Sequence, residues 1–261
     1  MDKAVILGTY EFIGFHLCLS LLEKGVEVTG VHLSSSSDDD YLEEKRFSVG
    51  RNSNFIEKDE AAFELERTVS DNTVLFIDYY SYYRKHKENE LQSILKQTLV
   101  DNNVHCIIFL PVQYCNKQVA GEFPLQLVKN QKHYQIYYLP TIYGPWQPLH
   151  FAFQQAIHDP DKPVMIDERE WINDALFIFD VVYHIMNHLE EKENKEILLK
   201  SAINDHWKKA ASLLLKQTSI ENTNEEVKVS QDMIVVDVEG TLIPEGIDMQ
   251  SRHLAKLKQI K

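Results

Sequence analysis

Four groupings of side chains in this sequence have types and spacings that could support chemistry. Gly8 and Gly14 flank five residues between an apolar run and a dense helical pattern. Glycines between a strand and a helix permit a tight turn and let backbone N–H groups approach a pyrophosphate, the usual setting for dinucleotide binding. Tyr114 and Lys117 stand at i,i+3. A nearby ammonium lowers a phenol's pKa and equips it to move a proton, although the two also read as ordinary strand-end and helix-start residues. His184 and His188, at i,i+4, have a metal-ligand spacing but neither a third ligand nor the glutamate of HExxH, so a plain helix face is the simpler reading. Residues 79–86 (YYSYYRKH) gather four tyrosines with Arg84, Lys85 and His86. Such tyrosines stack on a base or sugar, or fill a groove by packing on one another.

The elements that must position these groups alternate. Short apolar runs over residues 4–7, 26–33, 54–57, 73–78, 104–110 and 135–139 read as strands, and helical patterns follow over 12–24, 60–69, 89–101 and 118–132. Gly25 closes the first helix as a C′ residue. Strands separated by helices at this spacing predict a parallel sheet covered on both faces. The alternation makes the fold class α/β with a parallel sheet. That it is a Rossmann-like doubly wound parallel sheet with a small C-terminal α/β unit on the substrate side is what the motif resemblance given below implies. The SSSSDDD run over residues 34–40 is a polar loop. Beyond Pro140 come helices over 150–158, 180–191 and 205–217, with strands over 196–200 and 233–238. A soft boundary falls at Gly144, dividing the chain into units over 1–144 and 145–261 with interleaved elements. The motif resemblance given below implies a nucleotide-binding-type domain for the first and a substrate-side domain for the second.

Composition narrows the function classes. The chain has 261 residues, 27 basic against 40 acidic, for a net charge of −13. That balance disfavours nucleic acid or an anionic membrane surface as the main partner. No apolar run approaches the ~20 residues of a membrane helix, and the N-terminus shows no signal-peptide pattern. Three cysteines without C-x-x-C spacing suit a reducing cytoplasm.

The segment VILGTYEFIG resembles the TGxxGFIG turn of the extended short-chain dehydrogenase/reductases, the NAD-dependent epimerase/dehydratase family. LLEKGVEVTGVHL is similar to that family's first helix end and second strand, NFIEKDE to its third strand, LPTIYGPW to RPxNVYGP, and INDALFIFDVV to RDFVYVDDV. The matches keep the family's order to about Leu215. The resemblance implies NAD(P) as cofactor, with contacts carried onto Gly8, Thr9, Tyr10, Glu11, Phe12, Ile13, Gly14, His32, Asp59, Tyr79, Tyr80, Pro140, Thr141 and Tyr143. It also leaves open a homodimer through the helices over 89–101 and 118–132.

The chain departs from the family at its functional positions. Glu11 replaces the middle glycine and is expected to point into the pyrophosphate space. His32 replaces the acid that holds the ribose. Asp78, Tyr79 and Tyr80 replace small residues after the fourth strand. Pro111 and Val112 supply no hydroxyl where the family has a catalytic Ser/Thr, and only Tyr114 and Lys117 approximate its Tyr-x-x-x-Lys pair.

Two functions follow. The first is a non-catalytic relative retained as a binding or interaction module for a small or nucleotide-like ligand. The second is an NAD(P)-dependent epimerase, dehydratase or reductase, on a nucleotide sugar for instance, rearranged around Tyr114, Lys117 and Tyr143. Tyr143 and the tyrosines over 79–83 are expected to line one cleft bordered by Arg84 and Lys117. VVDVEGTLIPEG resembles the first motif of the haloacid dehalogenase phosphatases, with Asp237 and Glu239 as its acids. Too little chain follows to build that fold, so a strand and turn is the reading taken.

Overall fold

The first apolar run forms β1 (Lys3–Leu7), buried at every position after Lys3. In the computed structural model, which describes residues 1–32, 41–59, 72–99, 104–116, 123–189, 193–215 and 227–260, β1 pairs in parallel with β2 (Glu27–His32) and β4 (Thr73–Ile77). With β3 (Phe55–Asp59), β5 (His105–Pro111), β6 (His133–Leu139), β9 (Lys195–Ser201) and β10 (Ile234–Val238), they make an eight-stranded sheet in the order β10-β9-β6-β5-β4-β1-β2-β3. Every pairing in it is parallel. β4 (TVLFI) is buried along its whole length, as expected where helices cover both faces.

The order 3-2-1-4-5-6 across six of these strands is that of a doubly wound dinucleotide-binding sheet, with its switch point between β1 and β4. Ligands bind such sheets in the crevice beyond the strand ends at that point. Two elements begin there. Helix α1 (Phe12–Glu23) follows β1 and ends with Gly25 at φ +77° as its C′ residue. The short α3 (Tyr79–Arg84) follows β4 directly.

Beyond them lie α2 (Leu42–Val49), α4 (Glu88–Leu99), α5 (Leu125–Lys129), α6 (Ala152–His158), α7 (Ile178–Asn187), α8 (His206–Leu214) and α9 (Ile243–Ile260). A separate parallel pair, β7 (Thr141–Tyr143) and β8 (Ala175–Phe177), follows β6. The chain beyond Gly144 thus supplies β8 and also returns β9 and β10 to the main sheet. Two core clusters, on Ile6, Phe76 and Phe109 and on Leu7, Ile77 and Ile108, flank the sheet. A third gathers Tyr143, Phe153, Phe177 and Trp207.

The structure revises several boundaries. Where a helix was expected over 118–132, the described part contains only α5, behind the cis Phe123–Pro124 bond and Pro124 at its N-cap. Proline has no N–H to continue a helix from upstream. The expected helix over 60–69 and the loop over 34–40 lie outside the described residues. α7 ends at Asn187, short of the expected 191, and α2, β7 and β8 were not expected. Among the described residues no helix is long and apolar enough to cross a membrane.

Candidate functional site

The turn between β1 and α1 keeps the two glycines that the backbone itself requires. Gly8 sits at φ +88°, and both its N–H and that of Thr9 donate to the Val31 carbonyl. Gly14 lies so close to the turn that a Cβ there would stand 2.2 Å from the Gly8 carbonyl oxygen. These are the tight-turn and close-packing roles of the first and last glycines of a dinucleotide motif. The middle position, which lets the backbone approach a pyrophosphate, is Glu11. Glu11 is the N-cap of α1 with no side-chain cap bond. It is buried, and its carboxylate is ion-paired with Lys85 at 2.6 Å.

The first turn of α1 already has an anion on it, and that anion is not Glu11. The carboxylate of Asp78, at the end of β4, accepts hydrogen bonds from the N–H groups of Ile13 at 3.0 Å and Gly14 at 2.9 Å. It also accepts from the Ser81 N–H at 3.0 Å and the Ser81 hydroxyl at 2.8 Å, capping α3. Asp78 is fully buried, and burial raises its pKa to about 6. One side chain therefore bridges the switch point and caps two helices. The N-terminal amides of a helix are where a phosphate is ordinarily held. A second negative charge ~4 Å from Asp78 meets a repulsion of about 4 kcal/mol at an effective dielectric of 20.

The tyrosines that follow Asp78 fill space. Tyr79, Tyr80 and Tyr82 are all buried in α3. Tyr80 stacks on Phe151, and its hydroxyl accepts from the Ile142 N–H at 3.1 Å. Tyr82 approaches the turn, its ring 3.1 Å from where a Gly8 Cβ would be. Tyr79 shares a hydrogen bond with Tyr114, hydroxyl to hydroxyl at 3.0 Å. Burial raises the pKa of Tyr79, Tyr80 and Tyr114, the direction opposite to that of a phenol prepared to lose a proton.

Tyr143 does not join them, which corrects the expectation of a single aromatic cleft. It packs against Phe153, Phe177 and His206 in the third cluster, its hydroxyl 3.1 Å from His206 Nε2. β7 runs on from β6 after a single residue, Pro140, and its pairing with β8 turns Tyr143 into that cluster. Thr141 donates its hydroxyl to the Trp171 carbonyl at 2.8 Å, and Pro140 is buried beside it. Lys117 lies outside the described residues.

Phe12 and Ile13 are core residues of α1. Tyr10 turns toward the β2–β3 edge and donates to Glu57 at 2.8 Å, while Lys45 donates to its backbone carbonyl at 2.6 Å. His32 packs edge-on against Tyr10 at 5.5 Å, and burial lowers its pKa. Asp59 is exposed in register with His32. His184 and His188 stack at 4.3 Å, and among the described residues no His, Cys, Asp and Glu cluster fits a metal. Asp237 and Glu239 are exposed, with Asp237 paired to Lys200 at 3.0 Å. Thr241 of the same segment instead donates to Asp180 of α7.

Two features went unread in the sequence. One is the capping role of Asp78, whose only signal was its place after the fourth strand. The other is a buried ion pair, Arg84 with Glu170 at 3.2 Å, in which Glu170 also accepts from the Ala152 N–H and the Trp207 indole. Arg84 lies over the Phe151 ring at 4.5 Å. The pair ties α3 to the starts of α6 and α8, and no local pattern announces it.

The sheet order and its switch-point turn define a Rossmann-like α/β fold. Solved structures show the same fold over nearly the whole chain. A UDP-glucuronic acid 4-epimerase from Bacillus cereus, in complex with NAD, superposes with a TM-score of 0.69 and 17% identity, over 98% of this chain and 99% of its own. A dTDP-glucose 4,6-dehydratase from Bacillus anthracis, also in complex with NAD, gives 0.71 at 11% identity over 99% and 98%. A UDP-glucose 4-epimerase from Thermotoga maritima with UDP-glucose gives 0.63 at 15% over 98% and 99%. At these identities the likeness shows the fold, and it bears out at that level the resemblance read from the motifs. No protein-family model and no curated protein matches the sequence.

Proposed function

We propose that this protein uses the epimerase/dehydratase fold as a binding module and carries out no nicotinamide chemistry. The observation that supports the reading is Asp78. Its carboxylate accepts from the Ile13 and Gly14 N–H groups of the helix N-terminus at which a dinucleotide's pyrophosphate is ordinarily held. The residues around it do not fit the cofactor either. Glu11 adds a buried carboxylate at the same turn, Tyr80 and Tyr82 take up volume after β4, and Val112 stands at the head of the turn after β5 where a hydroxyl would be needed. The alternative built on Tyr114, Lys117 and Tyr143 draws no support from the packing of the two tyrosines, which lie in different clusters.

Thermal unfolding with NAD, NADH, NADP and NADPH at millimolar concentration tests the proposal. A ligand at 100 times its Kd stabilises the folded state by about 2.7 kcal/mol, a rise of roughly 5–10 °C for a chain of this size. The expected outcome is an unchanged Tm with all four. A rise of that size with any one of them defeats the reading.

A further inference from the structure

The two edges of the main sheet differ in kind. β3, at one edge, ends in Glu57, Lys58 and Asp59, and such charges discourage another strand from pairing. β10, at the other edge, reads IVVDV. It has no proline and no lysine, and its one charge, Asp237, is already paired with Lys200 at 3.0 Å. Ile234 and Val235 are 43% and 42% exposed, although strands of a parallel sheet are ordinarily covered. On α7, Tyr183 is 71% exposed. It stands one turn along from Asp180, whose carboxylate accepts from the Thr241 N–H just beyond β10.

The backbone of β10 decides what its open edge can take. The Val238 carbonyl accepts from the Ala202 N–H, on the β9 side. Successive residues of a strand turn their N–H and C=O groups to opposite sides. Ile234, Val236 and Val238 therefore bond toward β9, while Val235 and Asp237 present theirs outward. Among the described residues no backbone group outside the sheet pairs with those of Val235 and Asp237. A row of such groups is matched by the backbone of another extended strand.

We propose that this strand is β10 of a second copy of the chain, antiparallel about a two-fold axis at Val236. That register pairs every residue of β10. It sets Val235 against Asp237 of the second copy, and the reverse, so outward-facing residues meet and exchange both bonds, as a hydrogen-bonded antiparallel pair requires. Val236 meets its own counterpart at the axis, where side chains come closest. It shares a core cluster with Val181, Val182 and Ile185 of α7, so the two α7 helices with Tyr183 flank the axis on that face. An axis at Asp237 would instead oppose two like charges. The isologous contact closes with two chains and makes one continuous sheet. The exposed positions of α4, by contrast, are polar: Asn89, Glu90, Ser93, Lys96 and Gln97. This surface lies apart from the β1–α1 turn, so the proposal stands or falls independently of the nicotinamide reading.

Sedimentation equilibrium of the full chain, followed to about 100 µM, tests the proposal, and a dimer is the expected result. Val235→Pro removes an outward N–H without touching the bonds to β9, and Val235→Lys puts a charge on the edge. Each should raise the dissociation constant at least about tenfold, with the circular dichroism of the folded chain retained. Gln97→Arg, on the outer face of α4, should leave it within about twofold. Amide exchange gives a readout that needs no substitution. The Val235 and Asp237 N–H groups should exchange slowly in the concentrated protein and quickly on dilution. Exchange at these two amides that ignores concentration overturns the proposal, as does a dimer split by Gln97→Arg and not by the edge variants. A monomer at about 100 µM overturns it as well, and leaves the edge to an extended segment of another protein.

Discussion

The carboxylate of Asp78 and the backbone N–H of Gly14 are 2.9 Å apart across 64 residues of sequence. This contact crosses the switch point of the sheet, joining the end of β4 to the first turn of α1. In a dinucleotide-binding protein the same place holds an exchangeable phosphate. Here a carboxylate of the chain itself accepts from two amides of that turn and ties β4 to α1.

Asp78→Ala should therefore cost stability. It strands the buried N–H groups of Ile13 and Gly14 and removes the α3 cap, for an expected loss of about 3–5 kcal/mol. Asp78→Asn, which keeps one acceptor oxygen, should cost about half as much. Urea unfolding monitored by circular dichroism measures both. A loss below ~1 kcal/mol for the alanine variant contradicts the bridging role.

The glycines separate two kinds of cost. An alanine Cβ at position 14 meets the Gly8 carbonyl at 2.2 Å, so Gly14→Ala must displace backbone and should lose about 3 kcal/mol or more. Position 25 has φ +77° with nothing within 4 Å of the added atom, so Gly25→Ala should lose only the conformational penalty of about 1–2 kcal/mol. Equal losses in the same unfolding assay would show that the turn relaxes around position 14.

Arg84 and Glu170 should behave as a coupled pair. Removing one member of a buried ion pair costs about 3–5 kcal/mol because its partner stays charged and dry. Arg84→Met and Glu170→Gln are each expected to fall in that range. The double variant should cost less than the sum, leaving a coupling of about 1–3 kcal/mol. Strict additivity in the double-mutant cycle removes the pair from the account of stability.

Stability should also decline on acidification below neutrality. Burial lowers the pKa of His16, His206 and His253 to about 4 and that of His150 to about 3. Unfolded imidazoles titrate at about 6.5. Between pH 6.5 and 4 the unfolded chain therefore binds more protons at these sites, and stability is lost as pH falls. Asp78 and Asp174 oppose this. Burial raises both to about 6, so the folded state gains their protons first and is favoured as pH falls through 6 toward 4. Burial also lowers the pKa of His32 and raises that of Glu170, so five imidazoles outweigh three carboxyl groups. The urea midpoint should be lower at pH 5 than at pH 7 by about 1 M, and an equal or higher midpoint at pH 5 reverses the assignment.

The sequence by itself determined the sheet. Runs such as TVLFI and HCIIFL are apolar at consecutive positions, short and rich in β-branched or aromatic residues, which suits a strand covered on both faces, and their alternation with helices implied parallel pairing. Gly8 and Gly14 were legible for the same local reason, since the turn and the close approach of α1 act within a few residues. The motif departures at Glu11, His32, Tyr79 and Tyr80 were visible too, as residue types at aligned positions.

Only the tertiary structure decided what those departures do. Asp78 to Gly14 and Arg84 to Glu170 are contacts across 64 and 86 residues. They depend on the strand order that sets β4 beside β1 and on the turn that sets β7 against β8. A buried carboxylate and an exposed one are the same letter in a sequence. Burial, which raises Asp78 to about 6 and leaves the amides of α1 with an internal anion, belongs to the assembled sheet and helices rather than to any segment of the chain.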